Sequence, residues 1–412
     1  MTTSRERVLQ ALHFQVPDRV PRDLGGMRST SVSAFAYPRL VAALGLPPRL
    51  PRVEDTGQML ALPDLDVLDA LDIDIVTIAD GVTNAFDEPE KWHPYDFNGR
   101  LPACVRDPAA FHTEPDGTIV QGITRMPPSS FVFDEPHGGQ PVDFKGELPR
   151  VDLDELRSGL KAYELRDEQV VRIRDLCRRV REASDRAVFF NDGSIQAPIS
   201  IHAWGGMGVF PVLCLTDPDY VNELHEIVTE HSLGNLSKLL PEIGPYVDIL
   251  MMAADDWGTQ QNTIASPKVY RELFLPYRQR LNEAAHRLAP GAKTFLHSCG
   301  AIYKLLDLIV ESGFDIVNPV QWPAGGHSYA EWKDKARGRI TLWGGGINSQ
   351  VTLPLGSLEE VESEAAQVVS ELAQDGGYVF CNIHNLLAEI PAEKIIAMYR
   401  KAGNEINHRT PA

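Results

Sequence analysis

Eight short apolar runs, each closed by Gly, Asp, Asn or His and most followed by a stretch of helical periodicity, set the limits on what this chain can fold into. They are VPRDLGG (20–26), DIDIVTIAD (72–80), AVFFNDG (187–193), VDILMMAADDWG (247–258), KTFLHSCG (293–300), FDIVNPVQ (314–321), RITLWGGG (339–346) and YVFCNIHN (378–385). Most are nearly continuous apolar stretches rather than alternations, the pattern of strands buried on both faces. Amphipathic stretches separate those of the second half. One follows Thr216, and another opens with Ser266 as N-cap and Pro267 at the first helical position. Alternating strand and helix predicts a parallel sheet with helical crossovers. About eight such strands fit a closed (β/α)8 TIM barrel, an α/β fold, better than an open doubly wound sheet.

Residues 86–150 break the alternation. They are rich in Pro, Gly and aromatics, with a hairpin expected across EPDGTIVQ. We read them as an irregular insertion in the N-terminal half that covers one mouth of a barrel spanning residues 1–412. A long helical region over 152–184 then returns the chain to the barrel. At the start, Thr3 or Ser4 caps a surface helix.

Composition narrows the function. The 412 residues carry a formal net charge of -18, with no basic run longer than Arg178-Arg179 followed by Arg181, so nucleic acid is not expected as a partner. No apolar run reaches the length of a membrane span, and the start does not read as a signal peptide. Five cysteines, odd in number and scattered, fit a reducing cytoplasm without a disulfide framework.

Barrel enzymes place their chemistry at the C-terminal ends of the strands. The polar residues there are Asp23, Asp80, Asn191, Asp192, Asp255, Asp256, His297, Cys299, Asn318, Gln321, Asn348, Cys381 and His384. A strand places residues i and i+2 on one face, so His297 and Cys299 point the same way. A buried histidine beside an inert core cysteine is the plain reading, and a Cys-His nucleophilic pair is a rival. Neither explains why two separate strands, the second being YVFCNIHN, each end in both residue types. Histidines, cysteines and acids on one rim have the composition of a zinc site. Asp256 then either ligates the metal or positions a substrate. Asn191, Asp192, Asn318 and Gln321 are candidates for the pocket wall. Gly345, within Gly344–Gly346, is either a tight turn or a place where a flat ligand approaches bare backbone. His202 and Trp204 either line the mouth or belong to a packed loop.

The stretches RERVLQALHFQVPDRVPRDLGG, HSCGAIYKLLDLIVESGFDIVNPVQ, LWGGGINSQ and GGYVFCNIHNLLAEIPAEKIIAMY resemble the uroporphyrinogen decarboxylase superfamily, from the first helix to about Tyr399. They are most similar to its methyltransferase branch, the corrinoid-linked enzymes that include the methylcobamide:coenzyme M methyltransferases. The resemblance implies a (β/α)8 barrel. The decarboxylase branch carries an arginine-rich motif near its N-terminus, whereas the corresponding RDLGGMRSTS holds only Arg22 and Arg28. A porphyrinogen with many carboxylates needs such cationic clamps, which argues against its decarboxylation; a metal-independent decarboxylase and a non-catalytic small-molecule or corrinoid-binding protein stay open as alternatives.

In the methyltransferase branch zinc is held by His-x-Cys and a cysteine near the C-terminus. His297 and Cys299 match the first two. Counted back from the helix start at Pro391, the third position falls on His384, with Cys381 as the alternative. One thiolate and two imidazoles leave the site about one positive charge more than two thiolates and one imidazole would, which favours Lewis acidity. The resemblance implies zinc and methyl transfer involving a small methylated substrate; the charge of a two-histidine site favours the donor side, with the direction of transfer left open, and His297 and Asp256 are read as the residues at the chemistry. The Asp-x-His-x-x-Gly signature of corrinoid modules is missing, so the corrinoid (cobalamin) is expected on a partner protein. Methoxylated aromatics, methylamines, methyl thiols and glycine betaine-like compounds all remain open as donors, and homo-oligomerisation is left open.

Overall fold

The computed structural model describes residues 2–80, 82–83, 89–135 and 148–404. Seven parallel strands run side by side in chain order: β1 (Ile75–Ala79), β2 (Ala187–Asn191), β3 (Ile249–Ala254), β4 (Lys293–His297), β5 (Ile316–Asn318), β6 (Thr341–Trp343) and β7 (Tyr378–Val379). Val82–Thr83 adds a short antiparallel partner to β1. The expected eighth strand, over 20–26, shrinks to a single parallel bridge between Arg22 and Phe380. Pro21 has no N–H to give and contributes only its carbonyl, which accepts from Phe380 N at 2.8 Å. The chain then turns at once, with Gly25 at φ 83° and Gly26 donating its N–H to Asp23 Oδ1. On its other side the Arg22 carbonyl accepts from Asp74 N at 2.9 Å, just ahead of β1. These bonds join the last strand to the first, and the sheet closes on itself.

Inward-facing residues fill the barrel. Ile75, Phe189, Met251, Phe295, Ile316, Trp343 and Val379 alternate with outward-facing neighbours and pack into one cluster. Each large apolar side chain buried there contributes about 1.5–3 kcal/mol of transfer free energy. The helix Ser4–Leu12 closes the bottom. Its Val8 and Leu12 join the interior cluster, and hydrogen bonds from Arg5 N to Asp185 O and from Gly377 N to Ala11 O hold it at the strand starts. Thr3 is its N-cap, in a capping box with Glu6.

Helices of the expected kind return the chain between strands, among them Pro218–Ile243, Leu306–Glu311, Tyr329–Ala336 and Leu358–Leu372, and Ala392–Asn404 follows the last strand. The helical region expected over 152–184 is built of Leu153–Leu160, a 3-10 turn over Lys161–Tyr163, and Asp167–Ala183. Asn235 and Lys238 capture the backbone between them: Asn235 binds Tyr163 O and Leu165 N, and Lys238 Nζ donates to Leu165 O. The helix opened by Ser266 and Pro267 is interrupted by a π segment, Tyr270–Phe274, before it resumes as Leu275–Leu288. Pro276 cannot donate to the carbonyl of Glu272, and the helix widens to accommodate it.

The described part of 86–150 forms short antiparallel strands, including the hairpin Phe111–Thr113 with Ile119–Gln121 expected from the sequence. The rest of that stretch lies outside the described residues. What is described packs on 28–64: Cys104 N donates to Pro51 O, Phe133 N to Gly57 O, and the Phe35 and Phe131 rings meet edge to face. Segment 28–64 in turn reaches the C-terminal rim, where Ser33 N donates to Leu386 O and Leu386 N to Ser31 O.

Asp23 carries a pH dependence. It is fully buried and accepts from Trp343 Nε1 at 2.9 Å and Gly26 N at 2.8 Å, yet burial pushes its carboxyl from 3.8 up to about 6. Between about pH 4 and 6 the folded state keeps a proton that the unfolded chain has lost. Stability therefore falls as pH rises through that window, by about 3 kcal/mol in total. The difference in unfolding free energy between wild type and Asp23→Asn should shift against wild type by about this amount from pH 4 to pH 7. Parallel stability curves would refute the assignment.

Candidate metal centre

The site is built on the C-terminal end of β4. Phe295 points into the barrel, Leu296 out, and His297 in again, one layer above Phe295. The chain leaves the strand through Ser298 and brings Cys299 back to the same side, with its Sγ 3.3 Å from His297 Nε2. Three bonds pin this corner to the neighbouring β3 exit: Asp256 Oδ1 accepts from Cys299 N at 2.8 Å, Gly258 N donates to Cys299 O, and Trp257 N donates to Ser298 Oγ. Gly300 and Gly258 cross so closely that a Cβ on Gly300 would lie 2.2 Å from Gly258 O, at φ 87°. Only glycine fits that crossing.

His384 reaches the same place from beyond β7. Its loop is held by the Leu386 pairing with Ser31 and Ser33, and Asn382 Nδ2 bonds the carbonyl of His384 itself. One nitrogen from each of His297 and His384 and the Sγ of Cys299 lie within 4.8 Å of one another. Among the described residues this is the one group of three or more His, Cys, Asp or Glu side chains that converges in this way. Cys381 is not in it. It belongs to the barrel interior, fully buried, with its Sγ 3.3 Å from Asn382 O and 3.9 Å from Asn318 Nδ2. Cys381→Ala is accordingly expected to leave metal binding at the wild-type level, measured as bound metal per chain; loss of metal would return Cys381 to the site.

Burial governs the charge states of Cys299 and His297. It pushes the Cys299 thiol well above its ordinary range, and the Asp256 carboxylate adds to the shift. It pushes His297 below its ordinary value, partly offset by Asp256. Without a cation the site therefore favours a neutral thiol and a neutral imidazole. A divalent ion is the kind of partner that would draw off the thiol proton.

The two adjacent acids of the β3 corner have different surroundings. Asp256 is half-exposed, with Oδ1 3.6 Å from His297 Nε2. Asp255 is buried and spent on structure: it accepts from Ser200 Oγ, Ile201 N and Trp257 Nε1 and pairs with the buried Arg278. Arg278→Leu would strand that carboxylate and is expected to cost about 3–5 kcal/mol in denaturant unfolding. A loss below about 1 kcal/mol would show that solvent reaches Asp255.

The other rim residues divide similarly. Asn318 does not stand on an open wall: it is fully buried behind His297, with Oδ1 2.7 Å from Nδ1. Gln321 Oε1 accepts from Gly300 N at 2.6 Å. Asp192 caps the turn at Ser194, and Asn191 accepts from Gln196. Asn348 caps Gln350 and Val351, and Asp80 pairs with Arg28. Gly345 is buried against Val320, whose carbonyl oxygen lies 2.7 Å from where a Cβ would be, so close packing accounts for this glycine. His202 and Trp204 sit in a loop closed by their own bonds to Ser200 and Pro198. Sequence reasoning missed Ser29, whose Oγ lies 3.3 Å from His297 Nε2, and Asn385, whose Oδ1 lies 2.6 Å from His384 Nδ1. Asn385 stood in plain view beside His384; nothing in the sequence pointed to Ser29.

The parallel α/β barrel thus brings His297, Cys299 and His384 together at its C-terminal mouth. The profile of the uroporphyrinogen decarboxylase (URO-D) family matches residues 139–404, and this chain belongs to that family. No curated protein matches its sequence. Among solved structures it is similar to a methyltransferase from Methanosarcina mazei, at 16% identity over 98% of both chains with a TM-score of 0.55, which shows the fold. A xylanase 10B from Thermotoga maritima aligns over 57% of this chain and 81% of its own, at 11% identity and a TM-score of 0.33.

Proposed function

We propose that this protein is a zinc-dependent methyltransferase that moves a methyl group between a small O-, N- or S-methylated donor and a corrinoid carried by a partner protein. The observation that carries the reading is the convergence of His297, Cys299 and His384 at the C-terminal mouth of the barrel. Two imidazole nitrogens and a thiolate are a donor set that suits zinc, and three protein ligands leave a position for substrate. Bound there, zinc would supply Lewis acidity to the heteroatom that bears the methyl group. His297 and Cys299 hold their positions through β4 and the bonds to Asp256 and Ser298. Asp256 is near enough to His297 and open enough to solvent to orient a donor at the mouth.

The methyltransferase from Methanosarcina mazei, matched along its whole length, favours methyl transfer over the other chemistries of the family. The two arginines of the N-terminal motif region favour it too. Arg22 is buried and bonds Tyr399 O and Asp72, while Arg28 pairs with Asp55 and Asp80. Neither side chain is poised to clamp the carboxylates of a porphyrinogen. We take residues 1–412 as one barrel, with 86–150 as an insertion over its mouth.

The test is transfer to free cob(I)alamin under anaerobic conditions, with methoxylated aromatics, methylamines, methyl thiols and glycine betaine as donors. Consumption of cob(I)alamin that depends on protein and on one donor class is expected. No transfer from any of the four classes by zinc-loaded protein would count against the proposal.

A further inference from the structure

Both histidines of the centre are held from behind in the same way. Asn318 Nδ2 lies 3.0 Å from the main-chain oxygen of Trp343, an atom that can only accept, so the amide nitrogen is on that side. Its Oδ1 therefore faces His297 Nδ1 at 2.7 Å, and an oxygen acceptor there requires Nδ1 to carry the proton. Nε2 is left with its lone pair, on the side of Cys299 Sγ and Ser29 Oγ, each 3.3 Å away. At His384 the contacts are arranged alike, with a side-chain amide in place of a main-chain oxygen as the second partner. Asn385 Oδ1 lies 2.6 Å from Nδ1, while Asn385 Nδ2 donates to Gln58 Oε1 at 3.0 Å.

We propose that Asn318 and Asn385 are the positioning residues of this centre, each holding its histidine as the Nδ1–H tautomer and so leaving the Nε2 lone pair free for an ion, at His297 on the side of Cys299. The purpose of that arrangement rests on the metal reading above; the tautomers themselves do not. Two neutral amides also differ in kind from the carboxylates that back many metal-bound histidines. A carboxylate makes its imidazole a stronger donor and the ion a weaker Lewis acid, whereas an amide orients the ring without adding charge.

The two asparagines differ in what they tolerate. Asn318→Asp would set a carboxylate oxygen against the Trp343 carbonyl inside the protein. Asn385→Asp meets only Gln58, whose side-chain amide can turn to donate. Asn385→Asp is therefore the conservative variant and Asn385→Leu the disruptive one.

Two measurements test the proposal on the full chain. Nitrogen-15 spectra of histidine-labelled, metal-free protein are expected to show His297 and His384 as Nδ1–H tautomers, with His384 losing that preference in Asn385→Leu. Zinc titration is expected to show affinity weakened about 10- to 100-fold in Asn318→Leu and Asn385→Leu, and restored in Asn385→Asp. Circular dichroism identifies variants that fail to fold, and the Asn385 pair carries the test if Asn318→Leu is one of them. Nε2–H tautomers in the wild type would overturn the proposal. So would zinc affinity within about threefold of wild type in folded Asn385→Leu, well below the outer-shell effect. Wild type with both Nδ1–H tautomers but no zinc uptake would sustain the positioning role and overturn the metal reading instead.

Discussion

Replacing Cys299 by alanine is expected to abolish both metal binding and methyl transfer. Cys299 is the single thiol of the converging trio, and its Sγ is 3.3 Å from His297 Nε2. The loss in zinc affinity should exceed about 100-fold, the upper end of what removing even an outer-shell partner costs. The fold should survive, because the corner is held by the backbone of Cys299 through Asp256 and Gly258 rather than by its side chain. Zinc per chain and donor-dependent consumption of cob(I)alamin, measured on the same preparation, should fall together. A variant that keeps its zinc would show that the thiol is not a ligand.

Replacing His384 by cysteine is expected to separate binding from chemistry. A second thiolate keeps a three-ligand set of the kind zinc accepts, so about one ion per chain should remain bound. The net charge of the loaded site falls by one, and with it the Lewis acidity available to polarise an ether oxygen or amine nitrogen. Transfer from such donors should drop by about tenfold or more, the equivalent of roughly 1.4 kcal/mol in the barrier. Demethylation at the wild-type rate by the zinc-loaded variant would refute the charge argument for donor-side chemistry.

Much of the barrel could be read from the sequence because parallel strands buried on both faces leave continuous apolar runs. Seven of the eight runs are strands in the sheet. The first, at Arg22, fell short because Pro21 and the glycines after Asp23 allow one bridge and no ladder. His297 and Cys299 were visible as a same-face pair at a strand end. His384 and Cys381 were both visible at the end of the last run, and counting back from the following helix favoured His384 although Cys381 lies nearer the strand. Its place in the barrel interior is decided by strand register. The residues behind and beside the histidines were hidden for a different reason. Ser29 meets His297 across 268 positions, and Asn385 meets Gln58 across 327. Such pairs are made by closure of the barrel and by the 28–64 segment folding over its rim. The break at 164–166 was hidden in the same way, since the captors Asn235 and Lys238 sit on another helix.

Bound metal per chain, measured by plasma mass spectrometry on wild-type protein purified anaerobically, tests the metal centre most directly. About one zinc per chain is the expected result, and cobalt substituted for it should give the charge-transfer absorption of a thiolate ligand. A folded protein that carries no zinc and takes up none on titration would contradict the centre at His297, Cys299 and His384, and with it the zinc-dependent methyl transfer proposed for this barrel.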